Sequence, residues 1–412
     1  MFSNSRTSIA GITLIAASLA AALSKWYVVW LAQKVGGPAT VGVYGLLIAV
    51  ATPSFVVAQL GLRNIALTMS SPPKWSVFVI CRAAGLVIGC LSLLVLIWIN
   101  PNISWSLGLA VLLMKVFDSI VDLDYAKIQI GGRINLMSFI ALGGALLSIF
   151  GSTIFILANG TITSAVLGAA FGSAATALIA RFFASKVTFE GVNLQSPYLR
   201  VARASLPLTA AQLLAATLIS LPTIVLGFSS DLHVVGLFVA VSYLIIVADL
   251  VGSSIAKVAI SPFRVAYSSG GIDALKTKSN KLALLVLLVG VPASLLVVFF
   301  GPWIFSFIYG PDFFVPRDFL AVLSIGGVAM VFSHIQTTFM YILNNYSLVT
   351  LTYLISTVVA LSIGVILLDS EVPGLMIGAI IATSGSVTRS LILIGSIRHL
   401  QKVSSGSTGI SN

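Results

Sequence analysis

Apolar residues follow one another in stretches of about twenty, the length an α-helix needs to cross a hydrocarbon core. Twelve such stretches can be read, at 8–32, 40–62, 77–99, 103–124, 134–158, 161–183, 204–227, 233–256, 281–301, 318–343, 346–368 and 374–397. Polar residues collect in the short segments between them. Backbone amides and carbonyls in lipid have no water to bond, so runs of this length satisfy them internally as helices. The pattern therefore predicts an all-α polytopic membrane protein with twelve transmembrane helices. The first stretch is too long for a signal-peptide core, and no small-residue cleavage site follows Lys25-Trp26-Tyr27, so it reads as a retained helix.

Composition sharpens this picture. The chain is 58% hydrophobic and only 8% charged, which leaves no room for a soluble catalytic domain. Its net charge of +11 invites a nucleic-acid reading, but the positions of the charges oppose it. If the N-terminus is cytoplasmic, the segments 63–76, 125–133, 184–203 and 257–280 and the tail all face inward. With the span ends, that side holds Arg6, Arg63, Lys74, Arg82, Lys127, Arg133, Arg181, Lys186, Arg200, Arg203, Lys257, Arg264, Lys276, Lys278, Lys281, Arg389, Arg398 and Lys402. The outer segments hold Lys34 and Arg317 beside Asp231, Asp312, Asp318, Asp369 and Glu371. This asymmetry is the positive-inside signature and places both termini inside, in a membrane rather than on nucleic acid. Trp30, Trp98, Trp105 and Trp303 fall at outer ends and Trp75 at an inner end, the headgroup level that indole rings favour.

Two lobes are expected. Thr40-Val41-Gly42-Val43-Tyr44 matches Val234-Val235-Gly236-Leu237-Phe238, and Ala58-Gln59-Leu60 matches Ala248-Asp249-Leu250. An offset of roughly 195 residues would give parallel six-helix repeats with a site between them near the midplane. The divisions are 1–183 for the first lobe, 184–203 for a basic cytoplasmic linker, 204–403 for the second lobe and 404–412 for a disordered tail. Gly85/Gly89, Gly168/Gly172 and Gly374/Gly378 each put two glycines on one face, which lets helices approach closely. Pro53, Pro207, Pro222 and Pro292 lie inside spans, where each removes a donor and can kink the helix. Cys81 and Cys90 share one span about 13.5 Å apart along its axis, too far for a disulfide, and read as packing residues.

Val35-Gly36-Gly37-Pro38, followed by Val41-Gly42-Val43-Tyr44-Gly45, resembles the "GP…G-x-Y" segment opening the second helix of Wzx-type polysaccharide flippases. These belong to the multidrug/oligosaccharidyl-lipid/polysaccharide exporter superfamily. Gln59-Leu60-Gly61-Leu62-Arg63 resembles the family's "D-x-G-L" helix end, with Gln59 in place of the acid. Phe300-Gly301-Pro302-Trp303-Ile304, leading to Ile308-Tyr309-Gly310-Pro311-Asp312-Phe313, is similar to the segment after the ninth helix. The resemblance extends over the full length in span count and topology. It implies two lobes in an inward- or outward-open V, and flipping of an undecaprenyl-pyrophosphate-linked oligosaccharide to the outer leaflet of a bacterial cytoplasmic (inner) membrane. It also implies a place in O-antigen or exopolysaccharide biosynthesis, with polysaccharide polymerase machinery as an expected partner.

The chemistry to explain is the charge inside the spans, since a centrally placed Asp, Lys or Arg costs about 2.5–3.5 kcal/mol to insert. In the fourth span Lys115, Asp118 and Asp122 sit at 0°, about 300° and about 340° around the helix and so share a face, with Asp124 opposite. One reading lines the inter-lobe cavity with them, Lys115 meeting substrate anions and the carboxylates accepting a coupling ion, H+ or Na+. The other is a structural stripe in which Asp118 and Asp122 neutralise Lys115. Lys25 either holds the pyrophosphate or snorkels to the outer headgroups. Asp249, repeat counterpart of Gln59, is a third coupling candidate, or pairs with Lys257 or another helix. Arg389 is expected to snorkel inward, and His334 to be a hydrogen-bonded core residue.

No Walker A motif, HExxH or paired metal-ligand spacing occurs, so no nucleotide, metal or other cofactor is expected. Transport on an ion gradient or the membrane potential fits best. A cationic-drug antiporter is the nearest rival. A membrane enzyme polymerising or ligating lipid-linked glycans is less favoured, because the longest outer segment, 302–317, holds one Arg and no His.

Overall fold

The structure is a computed structural model describing residues 3–193, 195–311 and 313–407, with side chains described between 13 and 400. Asp312, the side chains of Arg6 and Lys402, and residues 408–412 lie outside the described residues. Nine helical stretches among the described residues are long and apolar enough to cross a membrane. Two of these contain a Gly-Gly break, at Gly36–Gly37 and Gly270–Gly271, and each resolves into two spans. Trp105–Ile130, with its intramembrane charges, completes the twelve expected. In chain order they are α1 (3–35), α2 (38–59), α3 (Trp75–Ile99), α4 (Trp105–Ile130), α5 (Ile134–Asn159), α6 (Ile162–Ser185), α7 (Pro197–Ser229), α8 (232–269), α9 (272–309), α10 (Arg317–Ile342), α11 (Tyr346–Leu368) and α12 (Gly374–Ser407).

Both breaks use one device. Gly37 has φ 67° and ψ −168°, and Gly271 has φ 63° and ψ −152°. That region is open essentially to glycine alone, so the pair lets the chain change direction in two residues. In these helices the non-helical residues are the glycines, whereas Pro53 and Pro292 sit in continuous helix. The 257–280 connection is accordingly helical rather than a loop. At ~1.5 Å per residue, α8 and α9 are each roughly 57 Å long and reach well beyond a core of ~30 Å. The segment 302–317 is likewise partly helical, since α9 continues to Tyr309, which stacks on Phe313 at 4.6 Å. The last helix runs to Ser407, past the point where disorder was expected.

The chain divides into two compact units, Met1–Ala216 and Thr217–Asn412. The boundary falls within α7 and not in the 184–203 segment, because that segment packs onto the first unit. Phe189 meets Trp75 and Phe78 at 5.1 and 6.2 Å, and Val192 N–H donates to Pro72 O.

Within each unit the glycine pairs act as contact points. A Cβ on Gly85 would run into the Ala58 carbonyl of α2, and one on Gly378 would meet Leu226 and Phe238. Where α5 crosses α6, a Cβ on Gly168 would run into the Gly151 carbonyl and one on Gly151 into the Gly168 carbonyl. Gly168→Ala is expected to cost about 1–3 kcal/mol by overpacking and to lower the apparent melting temperature of the detergent-solubilised protein. Gly143→Ala, where nothing lies within 4 Å of the added carbon, should leave the transition in place or raise it. Equal transitions for the two variants would contradict this packing.

Candidate functional site

Helix α4 supplies the charges, and its periodicity places Lys115, Asp118 and Asp122 on one face as expected. All three line a cavity of about 380 Å³ inside the first unit, together with Lys25, Thr52, Gln59, Arg63 and Ser173. Asp124, on the opposite face, is 1% exposed and pairs with Arg181 Nε of α6 at 3.2 Å.

The close contacts differ from the neutralising stripe that was one of the two sequence readings. Among the described residues no ion pair within 4.0 Å joins Lys115 to Asp118 or Asp122; its Nζ donates to Thr52 Oγ1 of α2 at 3.1 Å. Thr52 gives its own hydroxyl proton to Ile48 O at 2.8 Å, so its oxygen is fixed as an acceptor for the ammonium. One of three ammonium protons is thus used, and no other hydrogen bond of Lys115 is formed among the described residues. Asp118 accepts a hydrogen bond from Ser173 Oγ of α6 at 2.8 Å.

Asp122 belongs to a different pair of cations. Its Oδ2 accepts from Arg82 Nη2 at 2.8 Å, and its Oδ1 lies 3.6 Å from Arg63 Nη1. Arg82, on α3, is 3% exposed and also donates to Ser119 Oγ at 3.0 Å. Sequence position had counted Arg82 only as an inner-side charge. Arg63 follows the left-handed Leu60–Gly61 pair (φ 51° and 54°) that ends α2 and starts a short helix, Leu62–Thr68. That turn aims its guanidinium at Gln129 Oε1 (3.2 Å) and brings it 5.9 Å from the Tyr125 ring. Lys25, on α1, is exposed and has no hydrogen-bond or ion-pair partner among the described residues.

The cavity wall therefore carries Lys25, Arg63 and Lys115 against Asp118 and Asp122, with Arg82 behind Asp122. Cations exceed carboxylates, and one carboxylate is already matched by two arginines. Low-dielectric walls strengthen the field of such an excess. The arrangement suits an anion with several acceptor oxygens, for which ammonium and guanidinium donors give charge-assisted bonds.

The second unit holds its own polar group. Asp249 on α8 pairs with His334 on α10, not with Lys257: Oδ1 and Nε2 are 2.8 Å apart. Arg389 does not snorkel. It is 1% exposed, donates from Nη1 to Ser333 Oγ at 3.1 Å and from Nη2 to Thr337 Oγ1 at 2.7 Å, and sits 3.8 Å above the Tyr353 ring. Burial among neutral acceptors and an aromatic face is compatible with an arginine because its charge is delocalised and weakly hydrated.

No family model matches the sequence. Among curated proteins, the capsular polysaccharide biosynthesis protein CapF of Staphylococcus aureus is 21% identical over 325 residues, covering 76% of this chain and 80% of that protein. Among solved structures, a multidrug resistance MATE family transporter of the MOP superfamily in an inward-facing conformation superposes with a TM-score of 0.68 at 14% identity. It covers 97% of this chain and 96% of its own. An outward-facing conformation of such a transporter gives 0.65 at 14% identity, over 96% of each chain. The chain has the fold of the MATE transporters of the MOP superfamily.

Proposed function

We propose that this protein moves an undecaprenyl-pyrophosphate-linked oligosaccharide from the inner to the outer leaflet of a bacterial cytoplasmic membrane. The observation that carries the reading is the cation excess of the first-unit cavity, in which Lys25 and Lys115 keep donors free for a pyrophosphate. The likeness to a capsular polysaccharide protein supports a glycan cargo. The basic inner segments support a multi-pass protein with both termini cytoplasmic. A sodium or proton gradient would drive the cycle through carboxylates. Asp118, bonded to a hydroxyl rather than a cation, and Asp249, bonded to His334, are the groups proposed to accept the ion. Asp122 is proposed as the fixed counter-ion of Arg82 and Arg63 instead.

Asp118 also gives the rival reading its footing, since a cavity carboxylate can hold a cationic drug. The two readings separate in vesicles containing the purified chain. Lipid-linked oligosaccharide should become accessible to a membrane-impermeant sugar-modifying reagent well faster than in protein-free vesicles. A cationic dye should show no gradient-dependent accumulation. Dye accumulation without headgroup exchange would establish the antiporter and overturn the flippase.

A further inference from the structure

In the second unit, α9, α10 and α12 frame two adjoining hollows. The first, of about 320 Å³, lies by the start of α9 and is lined by Lys276, Ser279, Asn280, Gln336 and Arg398. The second, of about 500 Å³, runs on along the same helices and is lined by Leu287, Val291, Leu295, Val298, Ile325 and Leu391 among others. Phe332 and Ile394 line both, so a cationic head space continues directly into an apolar trough. From Leu287 to Val298 the trough follows α9 for roughly 16 Å.

Three features set this apart from a surface dotted with basic residues. Among the described residues neither Lys276 nor Arg398 has an ion-pair partner, although both stand at the head space. Gln336 is 4% exposed, yet its Oε1 has no hydrogen-bond partner. A buried amide left in this state is costly, and Gln336 lines the head space, so its side chain stands where a polar headgroup would meet it. Finally, the trough's Leu287, Val291, Leu295 and Ile325 are 41–58% exposed along a transmembrane helix pair, where the surrounding medium is hydrocarbon.

We propose that this is a binding site for an anionic phospholipid. The headgroup phosphate lies between Lys276 and Arg398, the Gln336 amide lines the head space beside it, and one acyl chain occupies the trough. Charge complementarity selects the head, and continuity with the apolar groove selects a lipid over a soluble phosphate. A lysine and an arginine at the inner headgroup level attract anionic lipids, which are concentrated in cytoplasmic leaflets. The site is separate from the first-unit cavity and does not depend on what that cavity carries.

The test uses the full chain in detergent micelles, titrated with dioleoyl-phosphatidylglycerol or dioleoyl-phosphatidylcholine, with bound lipid counted by native mass spectrometry. One phosphatidylglycerol should be retained at least tenfold more tightly than phosphatidylcholine, and inorganic phosphate should not displace it. The double variant Lys276→Gln/Arg398→Gln should lose about that tenfold preference. Ser294→Trp, which fills the trough, should weaken phosphatidylglycerol binding without altering any charge. If the double variant cannot be purified, Gln336→Leu carries the same expectation of weaker phosphatidylglycerol binding at unchanged phosphatidylcholine binding. Equal retention of the two lipids, an unaffected Gln336→Leu or Ser294→Trp variant, or displacement by inorganic phosphate would each overturn the proposal.

Discussion

Lys115→Ala is expected to reduce the initial rate of headgroup translocation by about ten- to a hundredfold, the equivalent of one charge-assisted hydrogen bond of ~1.5–3 kcal/mol. The protein should remain in the membrane at normal level, because among the described residues Lys115 makes no ion pair within 4.0 Å, and its removal takes from Thr52 Oγ1 a single hydrogen-bond donor. Lys115→Arg should retain more activity than Lys115→Gln, since a phosphate oxygen needs a donor that also carries charge. Lys25→Ala should act in the same direction. Lys25 is exposed in the cavity wall with no hydrogen-bond or ion-pair partner among the described residues, so any defect there reports on ligand rather than on folding. Full translocation by both alanine variants, measured at matched protein density in the vesicles, would remove the cationic cavity from the mechanism.

Asp122→Asn should show the opposite profile. Its partner Arg82 is 3% exposed, and although Asn keeps an oxygen that can accept from Nη2, the change removes the negative charge that offsets the buried guanidinium. Breaking one side of a buried pair costs about 3–5 kcal/mol, enough to depress the yield of folded protein. The rescue identifies the partner. Arg82→Met in the same chain should restore yield, because it removes the stranded charge and fills its space with a flexible apolar side chain. Lys115→Met should not. Quantifying monodisperse protein from the three backgrounds decides it, and restoration by Lys115→Met alone would return Asp122 to the neutralising role that its position on α4 suggests.

The contrast between those two residues shows where one-dimensional reasoning reaches its limit. That Lys115, Asp118 and Asp122 share a face follows from 3.6 residues per turn and needs nothing beyond the order of residues in α4. Which of them meets which partner depends on the rotation and depth of α2, α3 and α6 beside it. Arg82 lies forty positions from Asp122, Thr52 sixty-three from Lys115, and Ser173 fifty-five from Asp118. Hydropathy records only that each of these helices enters the membrane. The same gap explains Arg389: its distance from the inner end of its span permits snorkelling, and only the arrival of Ser333, Thr337 and Tyr353 makes burial affordable.

Twelve helices, the face of α4 and the places where small residues allow close approach were legible in the order of residues, because bilayer thickness and helical pitch act on every span independently of its neighbours. The Gly36–Gly37 segment was also visible, though not the φ near +67° that turns it into a two-residue link. Ends of helices were less legible: α8 and α9 run past the membrane because a helix leaving the hydrocarbon has no reason to stop until a residue such as Gly271 releases the backbone. The unit boundary inside α7, the pairing of Asp249 with His334 and the joined cationic and apolar hollows of the second unit came from three-dimensional packing alone. Each is a relation between helices distant in the chain, set by contacts that no local hydrophobic pattern specifies.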